Sequence, residues 1–326
     1  MVIQRYQPES PEHFVQWNQF VRESRNGTFL FDRNYMDYHA TRFYDFSLMV
    51  MSENKLIAVI PANRVTEKNE DNAGEVKTIN KLITHGGLTF GGLVMSEKLG
   101  AVQVLAIFEH LREYLRDHDF QTLVYKAVPH IYHRVPSEDD MYALHRLGAN
   151  KLRMDVSTTI MQSARLPLAK GRKHAMTKAH KAHVTIKQTN DYASFWQILT
   201  SNLQKQHATQ PTHSLDEISL LATRFGQIQL WMAYLGDKPV AGVVIYAYDQ
   251  VAHTQYIAST DESREIGALD MLLEHLITAE FAHKPYVNFG ISTTNAGLHL
   301  NAGLIAQKEM FGGRSTVLQW LELSCI

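Results

Sequence analysis

The sequence predicts an α/β protein made of two tandem halves, and three observations carry that expectation. The chain has 326 residues, about twice the usual length of one domain. Its 45% hydrophobic and 20% charged residues are the proportions of an ordinary globular chain. One order of elements, a hairpin followed by a strand, a helix and a strand, reads twice from N- to C-terminus.

The first half opens on "ESPEHFVQWNQFVRES". Ser10 is a suitable N-cap, Pro11 fits the first helical turn, and Phe14, Trp17 and Val21 follow at helical spacing with Phe20 beside them. "FSLMVMSENKLIAVIPANRV" holds two apolar runs joined by "SENK", a hairpin. Residues 65–77, "VTEKNEDNAGEVK", are polar and read as an exposed excursion. "THGGLTFGG" (84–92) is placed as a third strand, "EKLGAVQVLAIFEHLREYLRDH" as a helix and "FQTLVYKAV" as the closing strand.

The second half repeats the order. "IQLWMAYL", "GDKP" and "VAGVVIYAY" form a hairpin, "VAHTQYIAS" a strand, "GALDMLLEHLITAEF" a helix and "YVNFGIST" a strand. Setting Lys55 on Lys238 superposes the two hairpins, and "LGAVQVL" answers "IGALDML" at the helix entrance. We read an internal duplication, with "THGGLTFGG" in the place of "AHTQYIAS". The glycine segment lacks both Gly-Lys-Ser/Thr and G-x-G-x-x-G, so it is no phosphate cradle. Glycines inside a strand mark a bulge or a close approach instead.

Bulk properties remove several classes of function. Lys+Arg of 32 against Asp+Glu of 33 gives no overall pull toward nucleic acid or membrane, so any basic site is local. The single cysteine, Cys325, allows no internal disulfide and no cysteine-based zinc site. The 17 histidines fall in no compact ligand spacing, and His174, His180 and His183 sit among lysines, so no metal is expected. "MVIQRYQPESPEH" lacks the apolar stretch of a secretory signal, and no run approaches bilayer length. The expectation is a cytoplasmic protein without membrane insertion.

Chemistry concentrates at 259–277, "STDESREIGALDMLLEHLI". A strand ends, a polar loop follows, and Arg264-x-x-Gly267-Ala268 opens a helix whose Leu269, Leu272, Leu273 and Leu276 share one face. The first turn of a helix presents unpaired N–H groups and partial positive charge, a natural seat for phosphate. The structural alternative is that Gly267 and Ala268 serve close helix–sheet packing.

This order of elements with R-x-x-G-A resembles the acyl-CoA-binding core of the GNAT superfamily of N-acyltransferases, although Asp270 and Met271 replace that motif's later small residues. "RKHAMTKAHKAHVTIKQTNDYASFWQIL" (172–199) resembles the start of the second domain of Fem-type aminoacyltransferases. Gly303-Leu304-Ile305-Ala306-Gln307-Lys308-Glu309-Met310-Phe311-Gly312 matches that family's G-L-x-x-F-K-x-x-F-G, with Gln307 for Phe. The whole chain is similar to Fem-related tandem GNAT proteins associated with bacterial surface polysaccharides. It lacks the long helical-hairpin insertion of some Fem members.

The resemblance implies two tandem GNAT-like domains, roughly 1–165 and 166–326, each a mixed, mostly antiparallel sheet flanked by helices and meeting across a cleft. It implies acyl-CoA, acetyl-CoA above all, as co-substrate held near Arg264, Gly267 and Ala268. Backbone N–H groups near Ile257 and Ala258 would face the acyl carbonyl. It gives Lys308 a part in binding or polarising the transferred or acceptor group. The acceptor would be a small-molecule or nucleotide-sugar amine.

Among the histidines, His213 precedes a helix capped by Ser214 and Glu217, and it is either a site residue or an idle loop residue. His253 shares a strand face with Gln255, Tyr256 lying opposite, and His85 is its counterpart in the first half. Seven Lys or Arg and no acid lie between Arg165 and Lys187: a solvated helix face, or a surface for phosphate or tRNA. Interleaved aromatics for stacking bases are absent there. Tyr125, Lys126 and 129–140 form a polar loop that could line a cleft.

The leading expectation is therefore N-acyl transfer from acyl-CoA to a primary amine, with an amino sugar of a surface polysaccharide precursor as acceptor. The first half, with Leu99-Gly100-Ala101 and no matching arginine, is expected to shape the acceptor site. Its glycines would keep a third strand slim there. The alternatives are an aminoacyl-tRNA donor, as in Fem-type enzymes, and a non-catalytic module that binds a nucleotide sugar.

Overall fold

The computed structural model describes residues 1–70, 76–207 and 209–326. In chain order the elements are β1 (Val2–Arg5), α1 (Pro11–Glu23), α2 (Arg33–Met36), β2 (Tyr44–Asp45), β3 (Leu48–Ser52), β4 (Lys55–Ile60), β5 (Asn63–Glu70), β6 (Val76–Ile83), β7 (Val94–Met95), α3 (Ala101–Asp117), β8 (Thr122–Lys126), α4 (Asp139–Arg146) and β9 (Asn150–Met161). They continue as α5 (Lys170–Lys181), β10 (Thr185–Thr189), α6 (Tyr192–His207), α7 (Leu215–Arg224), β11 (Ile228–Leu235), β12 (Lys238–Ala247), β13 (Val251–Ser259), α8 (Asp261–Ile266), α9 (Ala268–His275), β14 (Tyr286–Ile291), β15 (Thr293–Thr294), β16 (His299–Leu300), α10 (Ala302–Glu309) and β17 (Arg314–Ser324).

Two compact units result: Met1–Asp155 with Val317–Ile326, and Val156–Thr316. This differs from a linear division at 165/166. The last ten residues belong to the first unit because β17 pairs antiparallel with β8, Leu323 opposite Leu123 and Trp320 opposite Lys126. There Leu321, Leu323 and Cys325 enter the apolar core of that unit with Val104, Ile107, Phe108 and Leu111 of α3.

Within the first unit, α1 forms as its pattern dictates. Ser10 Oγ accepts from the His13 N–H, Pro11 occupies the first turn, and Trp17 and Val21 are buried. The expected hairpin is β3–β4. The excursion expected at 65–77 is instead mostly a second hairpin, β5–β6, paired from Asn63↔Ile83 to Glu70↔Val76. Polar residues on both strands disguised it as a loop. Positions 71–75 lie outside the described residues. The glycine segment 84–92 is a loop after β6, not a third strand, and the short β7 after it pairs with β4.

The second unit is a sheet of order β10-β11-β12-β13-β14-β9, antiparallel except for the pair β13–β14. Its core packs Leu272, Leu273 and Leu276 against Val243, Ile245 and Ala252. The capping box foreseen at Ser214 and Glu217 opens α7.

The duplication has a register signature. The β3–β4 pairing shifts between Val50 and Met51, with Val50 opposite Ala58 and Met51 opposite Leu56. The β11–β12 pairing shifts between Ala233 and Tyr234, with Ala233 opposite Ala241 and Tyr234 opposite Pro239. Under the Lys55-on-Lys238 superposition these are the same positions. A bulge is a specific local device, and its recurrence at one register position supports a repeated unit.

Candidate active site

Both units contain a fork in which two parallel strands pair over three residues and then part. In the second unit the pairs are Val251↔Tyr286, Ala252↔Val287 and His253↔Asn288. Past His253, β13 keeps β12 on one side, and among the described strands nothing pairs with its other side. A backbone edge with unmet N–H and C=O groups needs another partner. A cavity of about 710 Å³ borders it, lined by Ile257, Ala258 and Ser259 of β13. Gly171, Arg172 and Ala175 of α5, Leu199, Asn202 and Leu203 of α6, Arg264, Leu269, Asp270, Gln307 and Met310 complete the wall.

A bulge shapes this arm. Val244 lies opposite Tyr256 but Ile245 opposite Thr254, so Gln255 is an extra residue. Strict alternation would put Tyr256 across the sheet from His253. The extra residue instead brings Tyr256 onto the His253 face, which corrects the expected pairing of His253 with Gln255. On that face the Tyr256 hydroxyl lies 2.6 Å from His213 Nδ1 and accepts from the His213 N–H at 3.2 Å, with Trp196 edge-on to its ring. His213 is therefore an anchored, buried residue.

A second buried cluster lies at the mouth of the fork. Asn288 donates from Nδ2 to Ser157 Oγ at 2.7 Å and Thr159 Oγ1 at 2.8 Å, while its Oδ1 accepts from the Gly290 N–H. The His253 Nδ1 lies 2.9 Å from that Oδ1, so the network assigns the proton to Nδ1 and the lone pair to Nε2. Burial lowers His253 to about 4, helped by the charge of Lys308. Lys308 is the buried residue of α10, and its ammonium donates to the Gly290 and Ile291 carbonyls at 3.0 and 2.7 Å. Burial lowers it to about 8, close to working pH.

The arginines on the cavity wall are each tied to a carboxylate. Arg172 meets Asp270 at 2.5 Å and also donates to the Gln307 carbonyl. Arg264 meets Asp261 at 2.5 Å and is half exposed. Asp270 stands in the first turn of α9, where its charge complements the positive end of the helix.

Ile257, Ala258 and Arg264 thus gather at one cavity, as the sequence suggests, but Gly267 and Ala268 do not line it. Gly267 is left-handed, φ +75°, closing α8 and opening α9. A Cβ there would stand 2.3 Å from the Ala175 carbonyl oxygen, and Ala268 is fully buried. The glycine lets α5 press on the α8–α9 corner, so its close partner is a helix and not the sheet that the packing alternative names. Sequence alone does not single out Arg172 or Asn288, and Asp270 stands out in it only as a departure from the R-x-x-G-A motif. Arg172 lay inside the basic run, while Asn288 gave no signal.

In the first unit the equivalent fork, Lys81↔Thr122 to Ile83↔Val124, is filled. Residues 84–92 fold back into it: Thr84 N–H donates to Val124 O, and Gly91 N–H donates to Lys126 O. The buried Lys126 ammonium donates to the carbonyls of His85 and Leu88. A Cβ on Gly91 would overlap the Thr84 carbonyl at 1.9 Å, and one on Gly87 would strike His39 and Phe43 at 2.5 Å. His85, lowered to about 3 chiefly by burial, is a neutral part of this plug. It is a loop residue, not the strand counterpart of His253. Tyr125 and Lys126, expected in a polar loop, are core residues, the tyrosine hydroxyl donating to Asp140 at 2.5 Å.

Cys325 is buried and raised to about 11, which suits a structural thiol. Among the described residues no cluster of three or more His, Cys, Asp or Glu could hold a metal ion, and no helix is long and apolar enough to cross a membrane.

Comparison with known proteins agrees with this architecture. Residues 162–295 match the family described as acetyltransferase (GNAT) domain. A search of curated protein sequences returns no significant match. The crystal structure of FemX superposes with a TM-score of 0.67 at 10% identity, over 99% of this chain and 97% of FemX. L-PGS from Bacillus licheniformis gives 0.56 at 11%, over 99% and 93%. A conserved protein of unknown function from Bacteroides thetaiotaomicron gives 0.56 at 11%, over 95% and 97%. At these identities the likeness is one of fold. Residues 162–295 thus match an acetyltransferase (GNAT) domain, and the chain as a whole shares the fold of FemX.

Proposed function

We propose that the second unit transfers an acyl group from acyl-CoA, acetyl-CoA first, to a primary amine, with an amino sugar of a cell-surface polysaccharide precursor as the acceptor class. The observation that carries this reading is the cavity along the unpaired arm of β13, where Ile257 and Ala258 offer backbone to a carbonyl. In the reaction the amine nitrogen attacks the thioester carbonyl, the C–S bond breaks, and the departing sulfur takes the proton the amine releases. Donors already aimed at the developing oxyanion lower that barrier. Lys308, an ammonium below about pH 8, polarises the transferred or acceptor group. Neutral His253, anchored by Asn288, and His213, anchored by Tyr256, are the candidates for handling the amine proton.

The wall fits an anionic donor through side chains rather than a helix start. Arg172 and Arg264 can exchange Asp270 and Asp261 for phosphate oxygens, a charge-assisted geometry that arginine favours. With its donor fork filled by 84–92, the first unit is left for acceptor recognition.

One observation favours a second reading. The corner at Gly267 is closed by Ala175, just where the R-x-x-G-A resemblance seats a pyrophosphate. A donor without that group, an aminoacyl ester on tRNA, does not need the seat. Titration of the purified protein with CoA and with tRNA, paired with an assay of thioester consumption in the presence of amino sugars, separates the two. Saturable CoA binding weakened by Arg172→Ala and Arg264→Ala, with turnover, supports the first. Binding of tRNA alone, without thioester turnover, replaces it with the second.

A further inference from the structure

We infer that one face of the second unit, made of residues 291–310 and the outer side of α5, docks on the surface of an anionic lipid bilayer. The inference rests on exposed side chains and not on the acyl-transfer reading.

The first component is an apolar ridge. Leu298 is 85% exposed and Leu300 46%, and Ile291, Leu304 and Met310 are exposed as well. These side chains are held outward by ordered backbone. β15 and β16 pair Thr293 with Leu300, the Leu298 N–H donates to Asn295 O, and the Asn301 N–H donates to Ser292 O. Lys308 is the buried residue of α10, so the helix turns most of its surface, including Leu304, to solvent. Exposed apolar groups gathered in one place mark an interaction surface more often than scattered ones do.

The second component is a cationic stripe. Lys170, Lys173, His174, Lys178 and Lys181 are exposed at i, i+3, i+4, i+8 and i+11, one side of α5. The four lysines have no ion pair among the described residues, whereas Arg165 and Arg172 are neutralised by Glu274 and Asp270. Ridge and stripe adjoin. The Ala169 N–H donates to Met310 O, the Leu166 N–H to Gly312 O, and Arg172 to Gln307 O. From Ile291 to Met310 the one acidic residue is Glu309.

Leucines beside uncompensated lysines match the boundary between acyl chains and anionic headgroups, where apolar burial and charge attraction act together. RNA fits less well, because leucine and methionine do not stack bases and no aromatic residue lies in the ridge. Gly171, Arg172, Gln307 and Met310 also line the cavity, so a docked protein holds it beside the headgroups.

Flotation of the full chain with phosphatidylcholine vesicles, with and without phosphatidylglycerol, tests this. Binding should require phosphatidylglycerol and weaken with salt. Leu298→Ser/Leu300→Ser should lower it about tenfold, and each of Lys173→Ala and Lys178→Ala roughly fivefold. Unfolding curves like those of the wild type confirm that these surface variants fold. Absence of flotation on phosphatidylglycerol vesicles overturns the inference. So does binding that the lysine variants abolish and the leucine variants keep, with competition by tRNA, since that describes a polyanion site. A self-association that the leucine variants dissolve while lipid binding stays unchanged overturns it too.

Discussion

Gly100 and Gly267 occupy matching places in the two units: each precedes the alanine that begins a helix, α3 or α9. Gly100 has ordinary extended backbone, its N–H takes the Gln103 side chain, and a Cβ would meet only that side chain, at 4.0 Å. Gly267 is left-handed and sits under the backbone of α5. The forks differ in the opposite sense. The first is plugged by its own glycine loop, while the second borders a cavity. One repeated pattern has thus been turned to two ends, and a motif read in sequence says where a helix begins but not what stands against its start.

The largest expected effect breaks that comparison most directly. Gly267→Val forces a β-branched residue into a left-handed turn and against the Ala175 carbonyl, and should cost roughly 3–5 kcal/mol in urea unfolding. Gly100→Val, in open space, should stay within about 1 kcal/mol. Equal losses would remove the distinction.

Acid should come next. His85 and His133 in the first unit are lowered to about 3 and 4, and His253 in the second to about 4, all chiefly by burial. Unfolded histidines take protons near 6.5 while these do not, so stability rises with pH across this window and is lost as pH falls from about 6.5 toward 4. His253→Gln should reduce that loss by on the order of 3 kcal/mol. A melting temperature flat from pH 7 to about 4.5 would contradict the burial argument.

The two buried lysines sharpen the contrast. Lys308→Met should lower kcat about 10²-fold with the fold intact, and the wild-type rate should decline above about pH 8 as the ammonium is lost. Lys126→Met should leave kcat within about twofold and instead speed amide exchange over 84–92, because its partners are that loop's carbonyls. Smallest of all, Arg264→Ala should change stability by less than about 0.5 kcal/mol, its ion pair being exposed. Its KM for the acyl donor should nevertheless rise roughly fivefold or more.

Local signals made much of the fold legible. Ser10-Pro11 with Trp17 and Val21 gave α1, and the two hairpins, α9 and the Ser214–Glu217 capping box were placed correctly. What failed depended on distant partners. The β5–β6 hairpin carries polar residues on both strands, so no alternation showed it. The glycine loop passed for a strand because its ligands, Val124 and Lys126, lie some forty residues on. The return of β17 to the first unit rests on pairing with β8, which no local pattern announces. Motifs draw attention to Lys308 and Arg264, which the structure places beside the Gly290 and Ile291 carbonyls and on the cavity wall. No motif points to Asn288, since its role comes from three strands meeting, and the extra residue Gln255 silently reversed the face of Tyr256.

Hydrogen–deuterium exchange with and without acetyl-CoA tests the central claim, that the open fork of the second unit receives the donor and the filled fork of the first does not. The account predicts protection at 171–175 and 257–264 with 84–92 unchanged. Protection of 84–92, or of neither fork at saturating acetyl-CoA, would contradict it.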